Sequence, residues 1–175
     1  YLGACSAWAW QFAKLREMQK ANGMATFQVM QNFYNLVYRE EEREMIPCCV
    51  DQGVGLIPWS PLARGFLAGT RARQQQESET PRGRSDNMDR DYYFTDTDFA
   101  ILERVQETAG KHGVKSAQIA LAWMLHRVGI TSPIVGVTKM PQLEDAIGAL
   151  DITLSADELK YLEELYQPKS IRGHN

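Results

Sequence analysis

Val54-Gly55-Leu56-Ile57-Pro58 is a short apolar run that breaks directly into Trp59-Ser60-Pro61-Leu62-Ala63-Arg64-Gly65, a turn that ends in glycine. A run of this length without polar alternation fits a strand covered on both faces, as in a parallel sheet flanked by helices. The pattern recurs on either side. Upstream, Tyr1-Leu2-Gly3-Ala4 leads into Cys5-Ser6, and Phe27-Gln28-Val29-Met30-Gln31 ends in the polar loop from Asn32 to Asn35. Downstream, Pro133-Ile134-Val135-Gly136 runs into Val137-Thr138-Lys139. Short strands alternating with longer helical patterns predict a parallel α/β architecture.

The helical patterns are legible in order. Trp8, Phe12, Leu15 and Met18 recur at helical spacing until Gly23. A second helix over about 40–51 opens on acidic residues that suit a helix N-terminus, with a kink expected at Pro47. Phe99, Leu102 and Val105 mark a third, ended by Gly110 and Gly113. Ser116 opens a fourth through Ile119, Ala122, Trp123 and His126, apolar almost all round and therefore predicted to be buried. A fifth runs from about Pro141 to Leu150. In the last helix Ser155 and Glu158 form a capping box, with Leu154 and Leu159 at staple positions.

From about Ala68 to Asp96 the composition turns to Arg, Gln, Glu, Ser, Gly and Asp without periodicity, which predicts a long mobile loop adding little core. A complete (β/α)8 barrel takes about 250 residues. Four strand-helix units in 175 residues therefore read as half a barrel, one partial domain over 1–175. The opening at Tyr1, inside a strand and without an initiator methionine, reads as a fragment of a larger fold.

A net charge of −3 argues against nucleic-acid binding, which needs a concentrated positive surface. No stretch approaches the roughly 18 apolar residues of a membrane span. The three cysteines, Cys5, Cys48 and Cys49, match neither a metal site nor a disulfide framework and favour a reducing, cytoplasmic setting. A small-molecule partner is expected, and oligomeric state is not legible.

Ligands of parallel barrels bind at the C-terminal strand ends, with phosphates on the loops after the last two strands. Trp59 to Gly65 offers an aromatic face, a hydroxyl, a guanidinium and a glycine. Gly136 to Lys139 offers backbone amides, a hydroxyl and a cation before a helix start, where an anion can dock. The two loops together suit a nucleotide.

Read in order, Gly3-Ala4-Cys5-Ser6, Met30-Gln31-Asn32, Tyr34 to Met45, Ile57 to Gly65 and Pro133 to Ile147 resemble the aldo-keto reductase superfamily, on its aryl-alcohol dehydrogenase branch. The resemblance spans nearly the whole chain apart from the polar loop. It implies the C-terminal half of a (β/α)8 TIM barrel, strands five to eight with their helices. It also implies an NADP-dependent oxidoreductase that interconverts aldehydes or ketones with alcohols, on aryl or secondary-metabolite carbonyls.

On that resemblance Ser6 and Gln31 fall where the nicotinamide carboxamide is held, and Trp59 where an aromatic ring stacks on the nicotinamide. Cys5 departs from the family's pattern, since a thiol donates less well than a hydroxyl. Ser60, Leu62, Arg64 and Gly65 match the pyrophosphate loop. Gly136, Thr138 and Lys139 fall near the ribose and its 2′-phosphate, and Gln142 and Asp145 near adenine, where Ala146 replaces a common asparagine. Lys139 is the argument for NADP over NAD, because a cation beside the 2′-phosphate makes a charge-assisted contact that NAD cannot.

The family's catalytic Asp, Tyr, Lys and His belong to the other half of the barrel, and no residue here takes their place. His112, His126 and His174 read as solvated, packed and disordered. Tyr34 and Tyr38 have no lysine nearby in sequence, Cys48-Cys49 reads as a pair of buried thiols on a helix, and Glu40 to Glu44 reads as a solvated helix start. The alternatives are a non-catalytic nucleotide-binding or regulatory protein of the same superfamily, or an inactive truncated product.

Overall fold

The computed structural model describes residues 1–69 and 93–173. Strands β1 (Leu2–Cys5), β2 (Phe27–Gln31) and β3 (Gly55–Leu56) pair in parallel in the order β1-β2-β3. Helix α1 (Ala9–Ala21) connects the first two and α2 (Met45–Asp51) the second pair, so each crossover is helical, as parallel neighbours require.

The fourth predicted strand, 133–136, does not form as one. The chain meets β3 and its extension only at two isolated parallel bridges, Leu56 with Ile130 and Trp59 with Ile134. Thr131 N–H donates to the Leu56 carbonyl and Ile134 N–H to the Pro58 carbonyl, each over 2.8 Å. Pro58 and Pro133 carry no N–H, so the ladder cannot continue between them. The approach depends on Gly129, which has φ +86° and whose absent Cβ would stand 2.8 Å from Val50 Cγ2.

Helices α3 (Asp96–His112) and α4 (Ser116–Leu125) follow, then α5 (Met140–Gly148) and α6 (Ala156–Glu163). Thr95 and Asp98 cap α3 reciprocally, as Ser155 and Glu158 cap α6. Each box satisfies amides that a helix start otherwise leaves open. As expected, α4 is covered nearly all round, with Ile119 to Met124 buried. The flanks differ: Trp10 and Met18 on α1 and Met140 and Ile147 on α5 are exposed. A three-stranded parallel β/α sheet of this kind fits part of a barrel.

Several expectations are corrected. The helix over 40–51 is a 3₁₀ turn, Glu40–Glu42, followed by α2, and the break falls at Arg43-Glu44. Pro47 lies in the first turn of α2, where its missing N–H costs nothing, so it kinks nothing. Glu40 and Glu41 are buried, not solvated. His126 caps the end of α4 and is exposed, not packed; His112, at the end of α3, is exposed as expected and pairs with Glu158 over 2.7 Å.

Of the predicted loop over 68–96, residues 70–92 lie outside the described residues, as does His174. The described ends are well packed. Ala63–Ala68 is a 3₁₀ segment, and Tyr93 is buried against Phe66 and Phe33. The composition of the loop masks this aromatic anchor.

Candidate cofactor site

Three parallel strands bring Ser6, Gln31 and Trp59 to one edge of the sheet. Cys5 pairs in register with Gln31, and Ser6 N–H then donates to the Gln31 carbonyl over 3.0 Å. Trp59 N–H donates to the Asn32 carbonyl over 2.9 Å, which sets the third strand end beside the second. The Trp59 indole N–H reaches the Ser6 hydroxyl oxygen at 3.4 Å, and the Cys5 thiol lies 3.5 Å from that hydroxyl and 3.6 Å from Gln31 Oε1. The result is a half-open patch with a hydroxyl, a carboxamide and a thiol around an indole edge.

Trp59 is not free on both faces. Phe33 stacks on it at 4.4 Å between ring centroids, and Tyr38 stacks on the far side of Phe33 at 4.2 Å. The three stacked rings fix the plane of the indole. Neither Phe33 nor Tyr38 was among the site residues read from sequence. The only available signal was their aromatic character in a polar-looking loop.

Beyond Trp59 the main chain coils tightly. Ser60, Ala63, Arg64 and Gly65 all have positive φ, from 47° to 92°, and non-glycine residues accept this conformation only where the surroundings enforce it. Turns that mix right- and left-handed residues aim backbone amides inward, as anion-binding concavities do. Asn35 secures the turn, its amide N–H donating to the Ser60 carbonyl over 3.0 Å. Asn32 sits just below, 1% exposed, with neither side-chain amide atom partnered among the described residues. A buried amide left open in this way calls for a ligand or water.

The opposite lobe follows the Trp59–Ile134 bridge. Gly136, Thr138 and Lys139 are exposed there, ahead of α5. The amides of Thr138 and Lys139, expected to be open, instead donate to Gln142 Oε1 at 2.8 and 3.2 Å. Gln142 is thus a helix cap before it is a ligand contact. Asp145 is likewise engaged, with Lys115 Nζ at 2.7 Å. Both pairs are exposed enough for a stronger partner to replace them.

The tyrosines near the strand ends are poorly suited to proton transfer. Tyr34 is buried and donates to Glu42 over 2.6 Å; burial first, then the charge of Glu42, pushes its hydroxyl far above the ordinary value of 10.0. Burial disfavours the charge on Glu42 itself, yet hydrogen bonds from Arg39 and Tyr34 hold its carboxyl below the usual range. Arg39 also reaches Glu163, and Arg127 pairs with the same two carboxylates. This closed ionic network joins the β2 loop to α6. Among the described residues no cluster of His, Cys, Asp or Glu could hold a metal ion, and no helix is long and apolar enough to cross a membrane.

A parallel β/α sheet with Ser6, Gln31 and Trp59 gathered at adjacent strand ends fits part of a barrel. The sequence pattern of the aldo/keto reductase family matches residues 1–167. The chain belongs to that family. It is 46% identical over 176 residues to an aldo-keto reductase of Fusarium vanettenii, covering 100% of this chain and 46% of the relative. It is 47% identical over 173 residues to a putative aryl-alcohol dehydrogenase of Schizosaccharomyces pombe, covering 99% and 48%. Versiconal hemiacetal acetate reductase of Aspergillus parasiticus is 43% identical over 171 residues, covering 98% and 49%. The chain spans about half the length of the curated relatives it matches.

Proposed function

We propose that this chain is the cofactor-holding half, strands five to eight, of an NADP-dependent reductase that interconverts carbonyls and alcohols. The observation that carries the reading is the meeting of Ser6, Gln31 and Trp59 at adjacent strand ends, with a hydrogen bond linking the indole to the Ser6 hydroxyl. The residues fit a dinucleotide from end to end. Ser6 and Gln31 hold the carboxamide, and the face of Trp59 opposite Phe33 supports the nicotinamide ring. Ser60, Leu62, Arg64 and Gly65 receive the pyrophosphate on the strained turn, with the unpartnered amide of Asn32 beneath it. Gly136, Thr138 and Lys139 take the ribose phosphate, while Gln142 and Asp145 exchange their present partners for the adenosine end.

When bound, NADPH supplies a hydride to the carbonyl carbon. The chain's own part is to bind, orient and shield the cofactor. Trp59, backed by Phe33 and Tyr38, decides which ring face is presented. Tyr34 is buried and bonded to Glu42, which suits it poorly to proton transfer, and we assign no proton donor among the described residues. The aryl-alcohol dehydrogenase name of one relative supports aryl carbonyls as the substrate class, with secondary-metabolite carbonyls beside them.

The test is a fluorescence titration with NADPH. Quenching of tryptophan emission should persist in Trp10→Ala, which alters an exposed side chain, and vanish in Trp59→Ala. Quenching that survives in Trp59→Ala would place the ligand elsewhere and defeat the reading. Trp123 is a poor control, because it is fully buried and hydrogen-bonded to Glu163.

A further inference from the structure

Asn35 is fully buried, and each of its polar atoms has a partner. Its backbone N–H and carbonyl exchange hydrogen bonds with Tyr38, each over 3.0 Å, and its side-chain oxygen accepts the Val37 N–H over 3.1 Å. A backbone N–H can be met only by an acceptor, so Val37 fixes which way the carboxamide is turned and sends its NH2 group toward the strained turn after Trp59. There Nδ2 donates to the Ser60 carbonyl over 3.0 Å and to the Tyr93 hydroxyl oxygen over 3.4 Å. The same Ser60 carbonyl accepts the Ala63 N–H over 3.0 Å, so its two lone pairs are taken, one from inside the turn and one from Asn35. Ser60 holds φ 57° at that point, and Ala63 and Arg64 follow at 47° and 57°. Such a conformation lasts only where its surroundings over-determine it. Asn35 supplies that turn with a bond from the β2 loop, 25 positions away.

We propose that Asn35 is a positioning residue for the cofactor's pyrophosphate: its carboxamide holds the Ser60 peptide in the conformation that shapes the turn over 60–65, and the Tyr93 hydroxyl steers that carboxamide. The inference rests on the reading of this turn as the pyrophosphate subsite. Being 0% exposed, Asn35 acts through Ser60 and not on the ligand itself. Tyr93 suits its task because it is held in place. It is buried, its ring lies parallel to Phe66 with the planes 4° apart, and it meets Phe33 edge-on at 6.3 Å between centroids. Phe33 is the ring stacked on Trp59. Tyr93 thus touches both the residue that braces the phosphate turn and the ring that backs the indole, so the two ends of the site share one support. The donor at 35 can be removed without a charge change. Asn35→Ser keeps an oxygen that can accept from Val37, more weakly, and loses the NH2 that reaches Ser60.

The test titrates the full chain, Asn35→Ser, Tyr93→Phe and the double variant with three ligands. NADPH is the first. The second, 2′-phosphoadenosine diphosphate ribose, keeps the pyrophosphate and lacks the nicotinamide, and the third, adenosine 2′-monophosphate, has no 5′-phosphate at all. Asn35→Ser should weaken the first two alike, by about five-fold, the worth of one hydrogen bond, and leave the third unchanged. Tyr93→Phe should repeat the pattern at about three-fold, and the double variant should bind no more weakly than Asn35→Ser, since the hydroxyl acts through the amide. Equal weakening of all three ligands would mark a general effect on the fold and overturn the positioning role. Unchanged NADPH affinity in Asn35→Ser overturns it as well and leaves the cofactor reading in place. Losses that add in full in the double variant overturn the part given to Tyr93. Should Asn35→Ser not fold, the pattern across the three ligands in Tyr93→Phe decides alone. Absence of NADPH binding by the folded, unaltered chain overturns the cofactor reading and the positioning role together.

Discussion

The indole N–H of Trp59 lies 3.4 Å from the hydroxyl oxygen of Ser6, although 53 positions separate them. Everything proposed for the site depends on that closure, because it turns two strand-end residues into one surface. Ser6 itself pays in backbone conformation, with φ at 45°, a strain that persists only where the surroundings enforce it.

Cys5 borders the same patch and gives a chemical probe of it. Of the three thiols, Cys5 is exposed, whereas burial, followed by the charge of Cys48, pushes the Cys49 thiol up to about 12. Iodoacetamide near neutral pH should label Cys5 first and leave Cys49 silent in the folded chain. NADPH should slow the Cys5 reaction, read by mass spectrometry of the labelled peptides; labelling indifferent to NADPH would separate Cys5 from the ligand.

Lys139 should discriminate between the two nicotinamide cofactors. Its amide caps toward Gln142 while its side chain remains exposed. Lys139→Ala should weaken NADPH by about ten-fold, the worth of one charge-assisted contact, and leave NADH nearly unchanged. Titration calorimetry with both ligands reads the difference, and parallel losses would assign the lysine another role.

The Arg39 network should dominate stability. Arg39 donates twice to Glu42, at 2.9 Å each, and once to Glu163 at 3.2 Å, while packing over Trp123 and Tyr166. Arg39→Ala leaves partly buried carboxylates short of a partner and should cost about 3 kcal/mol in urea unfolding. Arg39→Lys should restore only part, because an ammonium cannot make the forked pair.

The same network sets an acid limit. The Glu42 carboxyl sits below its ordinary value of 4.5 in the folded chain, so its contribution to stability is complete above that value. It is lost as pH falls through the lower folded value, where the native carboxylate takes up its proton. Unfolding midpoints measured from neutral pH to pH 3 should fall more steeply for the native chain than for Glu42→Gln. Parallel slopes would contradict the assignment.

Local order was legible where neighbours in sequence settle it. The Ser155 box, the apolar α4 and the strand at 27–31 follow from capping chemistry and periodicity, which need no distant partner, whereas the run at 54–58 forms strand only at Gly55–Leu56. The fourth strand failed because a ladder depends on the opposing chain, and prolines at 58 and 133 interrupt it from both sides. The pile of Tyr38, Phe33 and Trp59, the pairing of Asp145 with Lys115, and the reach of Gly173 to Ser6 are tertiary facts without local signature. Gln142 was placed at the adenosine end by the family resemblance, and the structure shows its side-chain amide closing its own helix. Gln31, Ser6 and Trp59, by contrast, lie together at adjacent strand ends.

Titration calorimetry of the isolated chain with NADPH and NADH tests the central claim most directly. The account predicts one saturable NADPH site per chain, weaker binding of NADH, and loss of the NADPH heat in Trp59→Ala. No heat from NADPH with a folded chain, or binding that is indifferent to Trp59, would contradict it.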